Sequence, residues 1–436
     1  MTSALLTDRY ELTMVDAAMR AGTHGRRCVF EVFARHLPNG RRFGIVAGTG
    51  RLIEQLADFR FGPAEIAWLR NNKVVDATTL EWLADYRFGG NIWGYQEGDA
   101  YFPGSPVLIV EGTFAEAVVL ETLALSVLNY DSAVASAAAR MVSAADGRPL
   151  AEMGSRRATE RGAVAAARAA YIAGFSATSN LEAGRSWGIP TMGTAAHSFT
   201  LLHDSEEDAF RAQVAALGPG TTLLVDTYDV TAAVDLAVRV AGTSLGAVRI
   251  DSGDLPGQAA AVRKQLDDLG AVNTKITVTS DLDEYAIAAL KVAPVDSYGV
   301  GTSVVTGSGA PTAGMVYKLV AHVDDAGKWV SVAKKSSVKV SIGGRKYPVR
   351  LLNRSGLATT EVLHVEDEPG AFRTAKTDAG RPLLVPLVTD GVADPRYLGS
   401  AGTELAREHR AAAVAELPAD AFRLARGEPV IPTVYE

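Results

Sequence analysis

Several short apolar runs in this sequence end in small, polar or charged residues that can do chemistry. One run, residues 189–194, leads into the segment GTAAHS at residues 193–198. Small residues let the backbone approach a ligand closely, and His197 can act as a base, a nucleophile or a carrier of phosphate. An ordinary surface histidine is the alternative, but a position directly after an apolar run favours a functional role for His197.

A second run ends in the segment RIDSGD at residues 249–254. Alternation along a strand places Arg249 and Asp251 on the same face. The arginine can bind a carboxylate through paired N–H bonds, and the aspartate can hold ribose hydroxyls or magnesium. The alternatives are a salt bridge between these two side chains and, for Asp254, capping of the next helix.

Two further segments have the composition of phosphate-binding loops. Gly299 and Gly301, followed by Thr302, end a late apolar run, and glycines expose backbone N–H groups to a phosphate. Arg156, within the segment GSRR, follows an early run and can bind a pyrophosphate. A tight turn and a surface arginine pair are the ordinary alternatives.

These segments belong to a regular succession of apolar runs in the middle of the chain. The runs are residues 150–155, 171–176, 189–194, 222–226, 247–251, 276–280 and 295–299. Helix-like segments separate most of them, which predicts βαβ units and a parallel sheet. Near-regular spacing favours an α/β barrel over a doubly wound sheet. Functional groups of such barrels lie at the carboxyl ends of the strands, where Asp226, Asp251 and Ser280 also stand.

The N-terminal part of the chain has a different pattern. Asp8 and Glu11 have the spacing of a capping box, and apolar residues follow at helical intervals, so we predict a helix over residues 9–21. The remaining predictions are strands at residues 28–33 and 43–47, a β-rich unit at 89–114, and helices at 115–142 and 401–417.

Composition excludes several classes of protein. The net charge of −7 argues against a nucleic-acid partner, because duplex binding requires a clustered basic face. Cys28 is the single cysteine, so neither an intrachain disulfide nor a cysteine zinc cluster can form. The N-terminus lacks the features of a secretory signal, and residues 115–125, among the longest apolar stretches, are too short and interrupted to span a membrane. We therefore expect a cytoplasmic protein without membrane contact.

The ordered set of segments resembles the nicotinate phosphoribosyltransferase family, a group of type II phosphoribosyltransferases. The matching blocks are TDRYELTM at 7–14, FEVF at 30–33, GSRR at 154–157, TSN at 178–180, GTAAHS at 193–198, DTYD at 226–229, RIDSGD at 249–254 and GVGT at 299–302. One block alone is a weak signal, whereas the blocks in this order are specific to the family.

The resemblance implies an α/β fold in which an irregular (β/α) barrel is joined to a smaller N-terminal α/β domain. We place the N-terminal domain at residues 1–130 and the barrel with the active site at 131–345. The C-terminal segment, residues 346–436, is expected to pack with the N-terminal domain. The family also implies a head-to-tail homodimer with shared active sites, in which Tyr10 of one subunit stacks on the pyridine ring held by the other.

The implied substrates are nicotinate, phosphoribosyl pyrophosphate and ATP. Thr194 and Arg249 match positions that contact nicotinate, His197 matches the histidine that ATP phosphorylates, and Thr302 matches the phosphoribosyl phosphate site. Roles for Arg156, Asp251 and Asp254 fit the same picture and rest equally on their chemistry. Magnesium is expected only together with phosphoribosyl pyrophosphate, without a metal site built by the protein. Some family members carry a cysteine-ligated zinc knuckle, which a single cysteine cannot form.

Other activities remain alternatives at this point. Nicotinamide and quinolinate phosphoribosyltransferases are the nearest; quinolinate enzymes are shorter and require a more basic pocket, whereas an arginine can also bind a carboxamide oxygen. A sugar-phosphate aldolase or isomerase barrel is more remote, because Lys275, Lys291 and Lys318 do not stand at predicted carboxyl ends of strands. A binding protein without catalysis is disfavoured by the many reactive residues at successive strand ends.

Overall fold

The fold is mixed α/β, the class that the sequence predicts. A computed structural model describes residues 4–336, 339–340, 342–369 and 380–436. They form two compact units, unit 1 with residues 1–136 and 310–436, and unit 2 with residues 137–309. The predicted parallel sheet lies in unit 2, whereas the largest sheet of unit 1 is antiparallel.

Unit 1 begins with helices and antiparallel strands. Its first helices are α1 (Arg9–Ala21), α2 (Thr49–Asp58), α3 (Pro63–Asn71), α4 (Ala77–Ala84) and α5 (Phe114–Val118), followed by α6 (Glu121–Ala145), which continues into unit 2. The first strands are β1 (Arg27–Ala34), β2 (Gly44–Ile45), β3 (Asn91–Tyr95), β4 (Ala100–Tyr101) and β5 (Pro106–Thr113). The predicted N-terminal helix, the strands and the β-rich unit are therefore present.

The predicted capping box at the start of α1 does not form. Asp8 occupies the N-cap position, but its side chain makes no capping hydrogen bond. The buried carboxylate of Glu11 instead accepts hydrogen bonds from the backbone N–H of Thr122, at 2.8 Å, and from the Thr122 hydroxyl. Burial raises the pKa of Glu11 to about 7, although the hydrogen bonds from Thr122 act in the opposite direction. Glu11 thus joins α1 to α6.

Unit 2 alternates strands with helices. Its strands are β6 (Leu150–Glu152), β7 (Ala177–Thr178), β8 (Thr222–Leu224), β9 (Ala247–Ile250), β10 (Lys275–Val278) and β11 (Ser297–Val300). Its helices are α7 (Glu160–Ile172), α8 (Leu181–Trp187), α9 (His197–Leu202), α10 (Glu206–Leu217), α11 (Val230–Ala241), α12 (Leu255–Asp268), α13 (Glu284–Ala289) and α14 (Thr302–Val305). The six strands pair in parallel in the order β7-β6-β11-β10-β9-β8, so all their carboxyl ends lie at one edge.

Two of the predicted strands in unit 2 are wrong. Residues 171–172 end the buried helix α7, and the strand begins only at Ala177. Apolar runs alone do not separate a buried helix end from a buried strand, which explains this error. Residues 189–194 contribute only an isolated parallel bridge between Thr178 and Thr191. Without these two strands the sheet does not close; it is a half-barrel with β7 and β8 at its edges.

The remainder of unit 1 is mostly β-structure. Its strands are β12 (Met315–Val323), β13 (Trp329–Ser331), β14 (Lys335–Ser336), β15 (Lys339–Val340), β16 (Arg345–Leu352), β17 (Ala358–Glu366), β18 (Gly380–Pro382), β19 (Leu384–Thr389), β20 (Val392–Ala393) and β21 (Thr433–Tyr435), and its last helix is α15 (Gly399–Ala415). The seven-stranded sheet has the order β13-β12-β1-β5-β3-β19-β20, and β18-β16-β17-β21 form a second sheet.

The predicted barrel range of residues 131–345 extends too far along the chain. Strand β12 pairs antiparallel with β1 over most of its length, and residues 315–323 belong to unit 1. At the other end, residues 131–136 also lie in unit 1. Residues 1–3 of the predicted N-terminal domain and 370–379 of the C-terminal segment lie outside the described residues.

A buried ion cluster connects distant parts of unit 1. Asp99 lies 2.7 Å from Arg350, 2.7 Å from Arg381 and 3.0 Å from His409. The carboxylate of Glu361 accepts a further hydrogen bond from Arg350 at 2.8 Å. Burial alone would raise the pKa of Asp99, but Arg350, His409 and Arg381 outweigh it and hold the pKa well below its usual value.

Two apolar features of the chain are buried. Within the described residues, the helical stretch Phe114–Ala145 is long and apolar enough to cross a membrane, but 67% of its most apolar window is buried in the protein. The core of a folded domain therefore accounts for its composition. Cys28 lies in β1 and is also buried, and burial raises the pKa of its thiol to about 12.

The ion cluster yields a prediction about stability. Asp99→Asn removes the charge that pairs with the buried guanidinium group of Arg350 and the partly exposed one of Arg381, so we expect a loss of about 3–5 kcal/mol in the free energy of unfolding. Urea denaturation near pH 7 measures this loss. The folded-state pKa of Asp99 is depressed, so its contribution is present above the unfolded pKa of about 4 and decreases as the pH falls below it.

Asp420→Asn is the matched control, because Asp420 pairs with Arg423 at an exposed position of the same unit. We expect this variant to unfold almost like the wild type. A similar small effect for Asp99→Asn would contradict the prediction.

Candidate active site

A cavity of about 350 Å³ lies in unit 2 beside the carboxyl ends of β6, β9, β10 and β11. Its lining residues are Met153, Arg156, Arg157, Arg249, Asp251, Thr279, Ser280, Asp281, Gly299, Gly301 and Thr302. Parallel strands direct the loops after them to the same edge of the sheet, which is why residues so distant in sequence meet here. The structure thus brings together Arg156, Arg249 and Asp251 with the glycines of the GVGT segment.

Asp226 links the ends of two neighbouring strands at this edge. Its side chain is only 3% exposed. One carboxylate oxygen, Oδ2, accepts hydrogen bonds from the backbone N–H of Asp251 at 2.9 Å and from the Ser252 hydroxyl at 2.7 Å. The other oxygen, Oδ1, is buried without a hydrogen-bond partner among the described residues and lies 3.8 Å from Nε2 of His197. A buried acceptor therefore faces the imidazole.

His197 makes one side-chain hydrogen bond through Nδ1 and faces two carboxylates with Nε2. Its Nδ1 lies 3.2 Å from the hydroxyl of Thr227, and its Nε2 lies 3.8 Å from both Asp226 Oδ1 and Asp251 Oδ2. Asp251 in turn accepts a hydrogen bond from the Thr279 hydroxyl. When Nδ1–H donates to Thr227, the lone pair on Nε2 is free to act as a nucleophile. The two carboxylates can then stabilise positive charge on the ring.

Arg249 presents a partly unused guanidinium group. Its Nη1 donates to the Thr194 hydroxyl at 2.6 Å and to the Ala195 carbonyl at 3.2 Å. Its Nε is buried without a hydrogen-bond partner in the described part of the chain. No ion pair joins Arg249 to Asp251 among the described residues, so the predicted alternative of a rim salt bridge does not form. Burial lowers the pKa of Arg249, although Asp251 opposes this shift.

Two glycines are required by close packing around the cavity. A Cβ atom at Gly299 would lie 2.6 Å from the Thr279 side chain and 2.7 Å from the Met153 sulfur. At Gly154 it would lie 2.2 Å from the Val305 side chain. A side chain at Gly299 or Gly154 would push the neighbouring segments apart. Glycine at these two positions therefore allows the segments after β6, β10 and β11 to pack closely.

Ser280 has an unusual backbone conformation in the cavity wall. It follows β10 and has a φ of 111°, which is strained for a residue with a side chain. Strain of this kind concentrates at binding and catalytic sites, where the surrounding structure maintains it. The strained turn leads directly into Asp281, which also lines the cavity.

Known proteins are similar to this chain over most of its length. The family model for the nicotinate phosphoribosyltransferase N-terminal domain matches residues 5–129. A nicotinate phosphoribosyltransferase from Mycobacterium tuberculosis is 57% identical over 99% of this chain and 95% of that protein. Another from Bacillus subtilis is 37% identical over 81% of this chain and 74% of that protein. The chain belongs to the nicotinate phosphoribosyltransferase family.

Solved structures agree with this family assignment. The crystal structure of human nicotinic acid phosphoribosyltransferase matches with a TM-score of 0.83 at 27% identity, over 99% of this chain and 97% of that one. A nicotinate-nucleotide pyrophosphorylase from Pyrococcus furiosus matches with a TM-score of 0.75 at 23% identity, over 97% of this chain and 96% of that one. The second match supports the fold alone.

Four of the predicted site residues do not line the cavity: Tyr10, Thr194, His197 and Asp254. Thr194 contacts Arg249 and His197 faces Asp251, both of which line it, whereas Tyr10 and Asp254 lie elsewhere. Tyr10 is in α1 of unit 1, where it is 45% exposed. Burial of its hydroxyl and the neighbouring carboxylates of Glu121 and Glu11 raise the pKa of Tyr10. Asp254 is exposed at the N-cap position of α12, but its side chain makes no capping hydrogen bond. Their predicted roles in substrate binding remain predictions.

Three residues of the site were not predicted individually from the sequence: Arg157 and Asp281 line the cavity, and Thr227 lies beside His197. Asp226, which the sequence places at a strand end, faces the same imidazole without having been given a role. A signal was available for most of them. Arg157 is the second arginine of GSRR, and Asp226 and Thr227 belong to the DTYD block at a predicted strand end.

Proposed function

We propose that the chain transfers the phosphoribosyl group of phosphoribosyl pyrophosphate to the ring nitrogen of nicotinate, and that ATP hydrolysis is coupled to this reaction through a phosphorylated His197. The products are nicotinate mononucleotide and pyrophosphate, which makes this a reaction of NAD salvage. One observation carries the proposal: a single cavity at the strand ends combines three arginines with two aspartates and two glycines. This combination suits an anionic sugar phosphate together with an aromatic carboxylate.

The chemistry of ribosyl transfer fits the charges of the cavity. The bond between C1′ and the pyrophosphate oxygen breaks with its electrons on pyrophosphate, and the nicotinate nitrogen forms the new bond to C1′. The sugar develops oxocarbenium character, so catalysis depends on positioning and on stabilising the leaving phosphates. Arg156 and Arg157 can supply positive charge there, while Gly301 and Thr302 suit the 5′-phosphate. Asp251 and Asp281 are acceptors for ribose hydroxyls.

Arg249 is the proposed partner of the nicotinate carboxylate. Its Nη1 is held by Thr194 and Ala195, which fixes the plane of the guanidinium group. The unpartnered, buried Nε gives the group a remaining donor for a planar anion. A fixed arginine recognises a carboxylate with two parallel hydrogen bonds, whereas a neutral carboxamide gains less from the charge. Arg249 therefore favours nicotinate over nicotinamide.

His197 is the proposed acceptor of the γ-phosphoryl group of ATP. Nucleophilic attack by a ring nitrogen forms an N–P bond, breaks the bond between the γ-phosphorus and the bridging oxygen and releases ADP. Water then cleaves the N–P bond, which releases inorganic phosphate and restores the imidazole. The phosphate adds negative charge beside Asp226 and Asp251, so a cation must accompany it. Within the described residues, no cluster of three or more His, Cys, Asp or Glu side chains is placed to hold a metal. We assign magnesium to the substrate phosphates, with Asp251 as one available ligand.

We also propose that the active protein is a cytoplasmic homodimer with shared sites. Tyr10 supports this assembly, because an exposed tyrosine on α1 is available to stack on a pyridine ring held by a second copy. Its match to the family's ring-stacking position is the other support. In this proposal each site requires residues from two chains.

A direct assay tests the proposed activity. We expect the purified chain with phosphoribosyl pyrophosphate and magnesium to convert nicotinate, and to convert nicotinamide and quinolinate far less efficiently. Addition of ATP should increase the yield and produce ADP in step with product. Chromatographic detection of the mononucleotide measures both. Preferential conversion of nicotinamide or quinolinate, or no conversion of any of the three, would refute the assignment.

The geometry of Arg249 predicts a specificity change. Arg249→Lys keeps the positive charge but loses the planar pair of donors, so the preference for nicotinate over nicotinamide should fall about tenfold or more. Competition assays measure the ratio of the two kcat/KM values. Lys275→Arg controls for a conservative change of a basic side chain, because Lys275 is exposed and pairs with Asp296 away from the cavity lining. Unchanged selectivity in Arg249→Lys would exclude the carboxylate contact.

A second prediction concerns ATP coupling. A general base is not needed, because the nicotinate nitrogen carries no proton at neutral pH. His197→Ala should therefore retain slow ATP-independent transfer and lose both ATP stimulation and nicotinate-dependent ATP hydrolysis. The measurement is acid-labile phosphate incorporated from γ-labelled ATP.

Two further variants make this measurement decisive. His203→Ala is the control, since His203 is close in sequence and its Nδ1 lies 2.8 Å from the Phe199 carbonyl; it should label normally. Thr227→Val removes the hydroxyl beside His197 Nδ1 and should slow labelling about tenfold without abolishing it. Equal labelling of wild type and His197→Ala would move the phosphorylation site elsewhere.

A further inference from the structure

A buried carboxylate outside the cavity lining connects two of the loops that form it. Glu284 is the first residue of α13, and its side chain is 5% exposed. Its Oε1 lies 2.9 Å from Nε of Arg140 in α6. Its Oε2 accepts a hydrogen bond of 2.7 Å from the hydroxyl of Ser308. We refer to Arg140, Glu284 and Ser308 as the Glu284 cluster.

Two members of the Glu284 cluster, Glu284 and Ser308, are close in sequence to residues that line the cavity. Glu284 stands three residues after Asp281, which lines the cavity beside the strained Ser280. Ser308 follows α14, whose first residue, Thr302, lines the cavity as well. The backbone N–H of Ser308 donates to the Ser303 carbonyl at 2.7 Å, which ties Ser308 to α14. Glu284 thus joins the loop after β10 to the loop after β11.

The turn at Ser308 needs a contact with another part of the protein to hold its position. Gly307, Ser308 and Gly309 have φ values of 61°, 50° and 78°, three successive left-handed residues. Such a turn is strained at the serine and has little conformational preference at the glycines. Of the three residues, only the serine has a side chain that can be tethered. Its hydrogen bond to a buried carboxylate therefore sets the position of this turn relative to α13.

Arg140 holds the carboxylate of Glu284 through an ion pair. The Nη2 of Arg140 donates to the Tyr285 hydroxyl at 3.3 Å, so the same guanidinium binds two successive residues of α13. A buried carboxylate needs such a partner to remain charged and oriented. The start of α13 is therefore attached to α6, a long helix that does not contribute to the cavity wall.

We propose that Glu284 is a positioning residue that fixes the phosphate-binding side of the cavity, so that phosphoribosyl pyrophosphate binds a preformed arrangement of Asp281, Gly301 and Thr302. The inference rests on the proposed function for the identity of this substrate. Nicotinate is assigned to Arg249 and Thr194, and neither belongs to the two loops that Glu284 joins. The cluster should therefore affect one substrate and not the other.

Ser308→Ala is the most selective test, because it removes one hydrogen bond and leaves the Arg140–Glu284 ion pair in place. We expect the KM for phosphoribosyl pyrophosphate to rise about threefold to tenfold, the range that follows from the loss of one hydrogen bond. The kcat and the KM for nicotinate should change less than about twofold. Glu284→Gln preserves the shape of the side chain but weakens its contacts with both Arg140 and Ser308. It should therefore raise the KM for phosphoribosyl pyrophosphate further than Ser308→Ala does.

Ser143→Ala is the matched control. Ser143 is in α6, one turn after Arg140, and its hydroxyl also makes a single hydrogen bond, of 3.1 Å, to the Ala139 carbonyl. All its kinetic constants should equal those of the wild type. A purely structural role of the cluster would lower thermal stability and the active fraction, and hence kcat, in the Ser308 variant while leaving both KM values unchanged. That result, or equal increases for both substrates, would overturn the proposal.

Direct binding separates this inference from the proposed function. Isothermal titration with phosphoribosyl pyrophosphate and magnesium, without nicotinate, should show weaker binding to Ser308→Ala than to wild type or Ser143→Ala. If wild type binds this substrate but does not convert nicotinate, the proposed function fails, and the binding difference still decides the role of Glu284. If wild type does not bind it at all, both proposals are wrong.

Discussion

The site depends on the hydrogen bond between the buried carboxylate of Asp226 and the backbone N–H of Asp251. Strand β8 ends at Leu224, and the Val225 N–H makes the last backbone contact to β9, at the Arg249 carbonyl. Beyond that point the two strand ends are connected by the Asp226 side chain instead of by a backbone hydrogen bond. Its second oxygen is then directed towards His197. One carboxylate thereby sets the relative positions of the arginine strand, the Asp251 loop and the imidazole.

Local patterns explain which elements were predictable from the sequence. Helix α1 and strands β8 to β11 occur at or within one or two residues of the predicted positions, because their apolar residues follow the helical or extended repeat. Residues 171–176 have the composition of a strand because the C-terminal half of α7 is buried on nearly all sides and has no polar face to reveal its helical period. The carboxylate of Glu11 accepts a hydrogen bond from the nearby Thr7 hydroxyl and others from Thr122, a contact across 111 residues that no local capping rule contains.

The candidate site was predictable to the extent that it lies at strand ends. Arg156, Arg249, Asp251, Gly299, Gly301 and Thr302 were selected by that rule and share one cavity. Residues that act through others were not accessible in this way. The strained φ of Ser280 and the links made by Glu284 arise from tertiary packing, and the sequence around them resembles an ordinary helix start. The role proposed for Tyr10 depends on a second copy, which a single chain does not contain.

The chemistry of Cys28 makes the chain convenient for spectroscopic labelling. It is the only thiol in the sequence, and its burial in β1 with a pKa near 12 leaves almost no reactive thiolate at neutral pH. Maleimide reagents should therefore not react with the native protein. A cysteine introduced at an exposed position, such as Leu181 in unit 2, would carry the sole fluorophore or spin label. Site-specific labelling of this chain therefore does not require replacement of Cys28 in the core.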